Sequence, residues 1–209
     1  MLFRSVARGA QGIGLCRTEH MFLGEERVAA VRKMIFASTD DEEASAYRVL
    51  TPLQRGDFVG IFEAMDGLPV TVRLLDPPLH EFLPNQVDLS VAVALAEERG
   101  EDSVTLRDEK MSLDEARSVL SKVDELHEAN PMLGLRGVRL GIWKPGLYAM
   151  QVRAIVEAAC DRVEAGGHPE VEIMIPLVAT REELRQMREE LEPVAAGVLK
   201  DRGVDLPLL

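Results

Sequence analysis

Val70-Thr71-Val72-Arg73-Leu74-Leu75-Asp76-Pro77-Pro78 is an apolar run carrying one arginine and closed by two prolines. Its apolar part, Val70 to Leu75, is too short for a typical helix, and Pro77-Pro78 cannot continue any regular ladder, so it reads as a strand that stops abruptly. Three other runs share its form: Ile13 to Cys16, Met132 to Leu140 around its arginines, and Val171 to Val178. Between them lie longer amphipathic stretches that read as helices: 25–37, 40–65 with a break expected at Pro52, 113–128, 147–165 and 181–200. Ser38-Thr39-Asp40 supplies an N-cap for the second of these, and Thr180 followed by Glu183 is a capping-box pattern for the last. Alternating strands and helices imply parallel strands joined by right-handed crossovers. The fold class is α/β, as a barrel or an open doubly wound sheet.

Arginine is a poor choice inside a strand, because its charge must be paired when buried. Three of the phrases nevertheless carry one: Arg17 in the phrase 12–22, Arg73 in 70–78 and Arg136 in 130–137. In α/β barrels the chemistry sits at the C-terminal ends of the strands. The three arginines fall at or near that end, so three guanidinium forks facing one doubly charged ligand, a phosphate or carboxylate, is a natural geometry. The competing reading for each is a structural ion pair with a nearby acid. Asp76, three residues past Arg73, either orients an arginine or caps the turn before Pro77.

Composition sets the limits. The chain has 209 residues, 46% hydrophobic and 29% charged, which is ordinary for a globular protein able to bury a core. A net charge of −12 argues against nucleic acid or an anionic membrane as main partner, since both reward basic surfaces. No apolar run approaches the roughly 20 residues of a membrane span, and the N-terminus lacks the apolar run and cleavage site of a signal peptide. Cys16 and Cys160 form no disulfide framework and read as free thiols in a reducing cytoplasm. The stretch 85–112, with the run Glu97-Glu98-Arg99-Gly100-Glu101-Asp102, breaks the alternation and reads as an inserted helix and loop on the surface, with a lid over the site as the alternative.

The phrases 12–22, 54–84, 130–141 and 172–178 together resemble the pyruvate phosphate dikinase family, in its C-terminal phosphoenolpyruvate-binding barrel. The segment Leu75-Asp76-Pro77-Pro78-Leu79-His80-Glu81-Phe82-Leu83-Pro84 is similar to the dikinase branch rather than to enzyme I of the sugar phosphotransferase system or phosphoenolpyruvate synthase. The resemblance covers almost the whole chain.

It implies a partial (β/α)8 TIM-type barrel spanning residues 1–209, about the first four β/α units, with the excursion at 85–112. It also implies binding of phosphoenolpyruvate and pyruvate, and exchange of a phosphoryl group with a histidine on another domain. Arg17 and Arg73 would be catalytic and substrate-binding, Arg136 a third substrate-binding group, and Asp76 a support behind them. His20 and His80 are not the phosphocarrier, which belongs to another domain. Mg²⁺ serves the complete enzyme, whose metal ligands, substrate-binding asparagine and catalytic cysteine have no counterpart in this sequence. The expected partners are the phosphohistidine and nucleotide-binding domains of a parent enzyme, and a second copy of the chain, since an open half-barrel exposes strand edges. The chain is expected to be inactive alone, and the other readings are a non-catalytic half-barrel that binds or assembles, or a related phosphotransferase of the enzyme I or phosphoenolpyruvate synthase type.

Overall fold

The computed structural model describes residues 2–106, 109–127, 130 and 132–207. In chain order the elements are α1 (Leu2–Val6), β1 (Ile13–Arg17), a 3-10 turn (Thr18–Phe22), α2 (Glu25–Phe36), α3 (Asp40–Ala64), β2 (Pro69–Arg73), a 3-10 turn (Leu79–Phe82), α4 (Gln86–Arg99), β3 (Ser103–Leu106), β4 (Glu109–Ser112), α5 (Leu113–Leu126), α6 (Val138–Trp143), α7 (Pro145–Glu164), β5 (Glu170–Met174) and α8 (Arg181–Arg202). They divide into two compact units, one made of the residues up to Pro77 and from Leu135 onward, the other of Pro78–Gly134.

The first unit is built on a parallel sheet in the order β1-β2-β5. Strands that are consecutive within the unit are also neighbours in the sheet, and each crossover is long enough to carry a helix. Side chains alternate between the two faces. Val70, Val72 and Leu74 are buried on one face, while Thr71 and Arg73 point to the other and are partly open. The register couples Thr71 with Glu172, and the Thr71 hydroxyl donates to Glu172 Oε2 at 2.6 Å, which places both side chains on the second face.

Helix α7 packs between α3 and α8. Its Leu147, Tyr148, Gln151, Ala154, Ile155, Val156, Ala158, Ala159 and Cys160 are fully buried, and the alanines let the neighbouring helices approach closely. Arg55 of α3 donates to both oxygens of Asp161 on α7, at 2.7 and 2.6 Å, and Arg202 of α8 reaches the same carboxylate at 2.8 Å. One acid thus ties three helices together.

Two expectations are corrected here. The segment 132–140 is not a strand: residues 132–137 are turn, bend and irregular backbone, and α6 begins at Val138. The apolar spacing of Leu133, Leu135, Val138 and Leu140 suits either period over so short a run. Gly137, at φ 58° and ψ −135°, decides against a strand, because that conformation leaves the β region. The expected break at Pro52 is also absent, and α3 runs continuously from Asp40 to Ala64 with Pro52 inside it. The buried stripe Ala46, Leu50, Gln54, Phe58 and Phe62 repeats every four residues and spans the proline. Burial of such side chains, at about 1.5–3 kcal/mol each, outweighs the roughly 3 kcal/mol that an interior proline costs.

The other helices form within a few residues of expectation, and Thr39 and Thr180 are N-caps, the latter in a full capping box with Glu183. The end of the expected helix at Glu128 lies outside the described residues, as does Pro131 of the phrase 130–141. In the second unit α4 is followed by an antiparallel hairpin, β3 with β4, where a loop was expected.

Candidate anion site

Arg17 and Arg73 are the last residues of β1 and β2, and they are register partners. Neighbouring parallel strands lie about 4.8 Å apart and partnered residues share a face, so the two arginines project side by side from the C-terminal edge of the sheet. Met174, the last residue of β5, is the partner of Arg73 on its other side.

Arg73 is clamped by two acids. Its Nη1 lies 2.9 Å from Asp76 Oδ2, and its Nη2 donates to Glu19 in the turn after β1. Asp76 is only 4% exposed, and the same Oδ2 accepts from Arg136 Nη2 at 3.0 Å. Three of the four residues singled out in the sequence are therefore joined through one carboxylate oxygen, and Arg17 stands beside them by register. The arginine side chains at 73 and 136 are each 17% exposed, so they are largely but not fully buried. Arg73 Nε, Asp76 Oδ1 and Glu19 Oε2 are buried without a hydrogen-bond partner among the described residues. A bound anion supplies an acceptor for Arg73 Nε, whereas the two carboxylate oxygens call for donors.

Arg136 reaches the site without a strand beneath it. Its neighbour Gly137 donates from its backbone nitrogen to the Asp76 carbonyl at 3.1 Å, and Val138 donates to the Pro176 carbonyl at 2.8 Å. The loop is thus stitched between the ends of β2 and β5. A Cβ at Gly137 would come within 2.9 Å of both the Pro176 oxygen and Leu177 Cβ. Leu177 itself holds φ 58°, a left-handed conformation that costs a side chain about 1–3 kcal/mol and is characteristic of functional loops.

A buried polar network fixes the β2 loop from behind. Leu75 N donates to Gln151 Oε1 at 2.8 Å, Gln151 Nε2 donates to Thr18 Oγ1 at 3.0 Å, and the Tyr148 hydroxyl donates to the Leu75 carbonyl at 2.7 Å. Burial raises the Tyr148 pKa, so its hydroxyl stays protonated and donating. Sequence reasoning missed Glu19, Thr18, Tyr148 and Gln151. The signal available was a glutamine in the apolar stripe of α7, a polar group that must find a partner there.

Cys16 takes the other face: it is register partner of Val72, and its thiol is pushed up to about 11, chiefly by burial and then by Glu19 and Asp57. Cys16 is half-buried, and the raised value favours its protonated thiol. Both cysteines are free. His20 lies in the 3-10 turn after β1, and His80 in that of Pro78–Gly134. The donors at the arginines do not by themselves fit Mg²⁺, which takes an octahedron of oxygens, because among the described residues only the carboxylates of Asp76 and Glu19 stand there. Both carboxylates there already hold guanidinium groups, and no cluster of three or more ligating side chains occurs among the described residues. No described helix is long and apolar enough to cross a membrane.

The site is thus two register-paired arginines at the C-terminal edge of a parallel sheet, with a third tied to one of them through Asp76. Residues 3–206 match the family described as PEP-utilising enzyme, PEP-binding domain, and the chain belongs to it. The chain is 51% identical over 195 residues to pyruvate, phosphate dikinase 1, chloroplastic, of Arabidopsis thaliana, covering 93% of this chain and 19% of that one. It is 52% identical to the chloroplastic pyruvate, phosphate dikinase of Flaveria trinervia, over 95% of this chain and 20% of the relative. For the pyruvate, phosphate dikinase of Giardia intestinalis the values are 47%, 95% and 21%. The chain thus spans about a fifth of the length of the curated relatives it matches.

Proposed function

We propose that this chain is the part of a pyruvate phosphate dikinase that binds phosphoenolpyruvate and pyruvate through Arg17, Arg73 and Arg136. The observation that carries the reading is the register pairing of Arg17 with Arg73, with Arg136 tied to Arg73 through Asp76. Identity near one half to named dikinases across almost the whole chain supports the choice of reaction.

Phosphoryl transfer leaves little covalent work for the protein. Catalysis comes from positioning and from neutralising charge on the equatorial oxygens, which fixed guanidinium forks do well. In this reading Arg73, its plane set by Glu19 and Asp76, and the neighbouring Arg17 hold the phosphoryl group, while Arg136 takes the remaining negative charge. The phosphoryl group passes between the enol oxygen and a histidine on another domain of the parent enzyme. We assign Mg²⁺ to donors other than the acids that hold these arginines.

For the fold we infer a single TIM-type barrel domain, begun here by β1, β2 and β5 and interrupted by an excursion that contains 85–112. The consecutive strand order supports it, since a doubly wound sheet reverses direction at its switch point. The free thiols suit a reducing compartment, and cytoplasm is our reading. The partners are the phosphohistidine and nucleotide-binding domains of the parent enzyme. Calorimetric titration of the chain with phosphoenolpyruvate tests the site: binding that disappears in Arg73→Ala supports it, and equal binding by both proteins contradicts it.

A further inference from the structure

Arg73 is held from two sides by acids that come from different loops, and the two are not equivalent. Asp76 holds both Arg73 and Arg136, at 2.9 and 3.0 Å, and is buried. Glu19 takes the other terminal nitrogen of Arg73, with side-chain exposures of 15% for the acid and 17% for the arginine. With Glu19 neutral, Arg73 keeps its bond to Asp76; without Asp76, two arginines lose a partner. Glu19's charge is therefore the one that the local geometry needs least. Its second oxygen, Oε2, is buried beside the fork with no hydrogen-bond partner among the described residues. Electrostatically, Glu19 and Asp76 balance Arg73 and Arg136, so that Arg17 supplies the net positive charge of the group.

We propose that Glu19 is a specificity-determining residue: its carboxylate, placed against the fork that receives the ligand, sets how steeply affinity rises with ligand charge. The inference rests on reading Arg17, Arg73 and Arg136 as the anion site. Repulsion between Glu19 and a ligand scales with the charge on that ligand. A phosphoryl group carries about −1.5 to −2 near pH 7, to which phosphoenolpyruvate adds a carboxylate, whereas pyruvate has the carboxylate alone. Glu19 thus weakens binding of the phosphorylated ligand more than of the dephosphorylated one and narrows the gap between them. A site that must exchange the two gains from this, since neither is trapped.

The test uses the 209-residue chain and its Glu19→Gln variant, which keeps an oxygen to accept from Arg73 but removes the charge. Each is titrated calorimetrically with phosphoenolpyruvate and with pyruvate, and Arg73→Ala is run alongside. The expected result is binding about tenfold tighter for phosphoenolpyruvate and only about twofold tighter for pyruvate, as a charge-proportional repulsion requires. Equal changes for the two ligands, or weaker phosphoenolpyruvate binding, overturn the proposal while leaving the anion site standing. If the unmodified chain binds neither ligand, or binds both equally well after Arg73→Ala, the site reading fails and takes this inference with it. Near-ultraviolet circular dichroism of Trp143 checks folding; if Glu19→Gln does not fold, Glu19→Ala carries the same comparison, with the same ordering expected.

Discussion

Arg17 and Arg73 stand opposite one another at the C-terminal ends of two hydrogen-bonded parallel strands. Two guanidinium groups presented in this way repel each other unless acids or a bound anion lie between or beside them. Glu19 and Asp76 supply the acids for Arg73. A bound anion would be shared with Arg17, and that sharing is the basis of the functional reading.

Asp76 is the joint of the site. Replacing it with alanine leaves Arg73 and Arg136 without their common partner in a region where Asp76 was 4% exposed. Losing one member of a buried pair destabilises by about 3–5 kcal/mol, and the upper part of that range assumes full burial, which the two arginines lack. Chemical denaturation of Asp76→Ala should show a lowered midpoint, together with weaker phosphoenolpyruvate binding. Unchanged stability would mean that the carboxylate is dispensable to the scaffold.

Two glycines give opposite signs. Gly137→Ala places a methyl group 2.9 Å from the Pro176 oxygen at φ 58°, so it should destabilise by about 1–3 kcal/mol and displace Arg136. Gly56→Ala, inside α3 with nothing within 4 Å of the new Cβ, should stabilise by about 0.5–1 kcal/mol. Thermal melts of the two variants check both signs.

Stability should fall at both ends of the pH scale, for separate reasons. The hydrogen bond from Arg55, with a further one from Arg202, holds the Asp161 carboxyl below its usual range. A depressed folded value gives stability that is present above the unfolded value, near 4, and lost as pH falls through the folded one. Asp161→Asn should flatten that acid limb. Cys16 behaves in the opposite sense: its thiol rises from 9.0 to about 11, so its contribution is complete below 9.0 and lost as pH rises toward 11. The alkaline limb of the melting curve should be shallower in Cys16→Ala.

We expect self-association, because of surface that the described strands leave unpaired. Among the described residues β1 and β5 each have one strand neighbour, and a groove of about 670 Å³ between β5, α7 and α8 is lined by Ile173, Ile175, Val178, Leu184, Met187 and Leu191. Unpaired strand edges beside apolar surface favour pairing with another chain. Sedimentation should show mass rising with concentration, and a single monomeric species across the range would rule this out.

Much of this was legible in the sequence because the signals were local. Ile13–Arg17, Pro69–Arg73 and Glu170–Met174 are strands where short apolar runs end in glycine, proline or charge, and the Thr180–Glu183 box marks the start of α8. The arginines stood out because strand positions rarely hold a charge. What was hidden depends on tertiary contacts. The loop before α6 takes its shape from hydrogen bonds to Asp76 and Pro176, far away in sequence. Pro52 is tolerated because the apolar stripe of α3 packs on either side of it. Glu19 lies only two residues from Arg17, yet its partner is Arg73, a pairing that requires the sheet register.

A double-mutant cycle on Arg17 and Arg73 tests the central claim, that the two arginines grip one ligand. Phosphoenolpyruvate affinity is measured for the unmodified chain, Arg17→Ala, Arg73→Ala and the double variant. If both guanidinium groups hold the same phosphoryl group, each single change costs about 2–5 kcal/mol and the two are coupled by at least about 1 kcal/mol. Additive losses, or no loss in either single variant, would contradict a shared site.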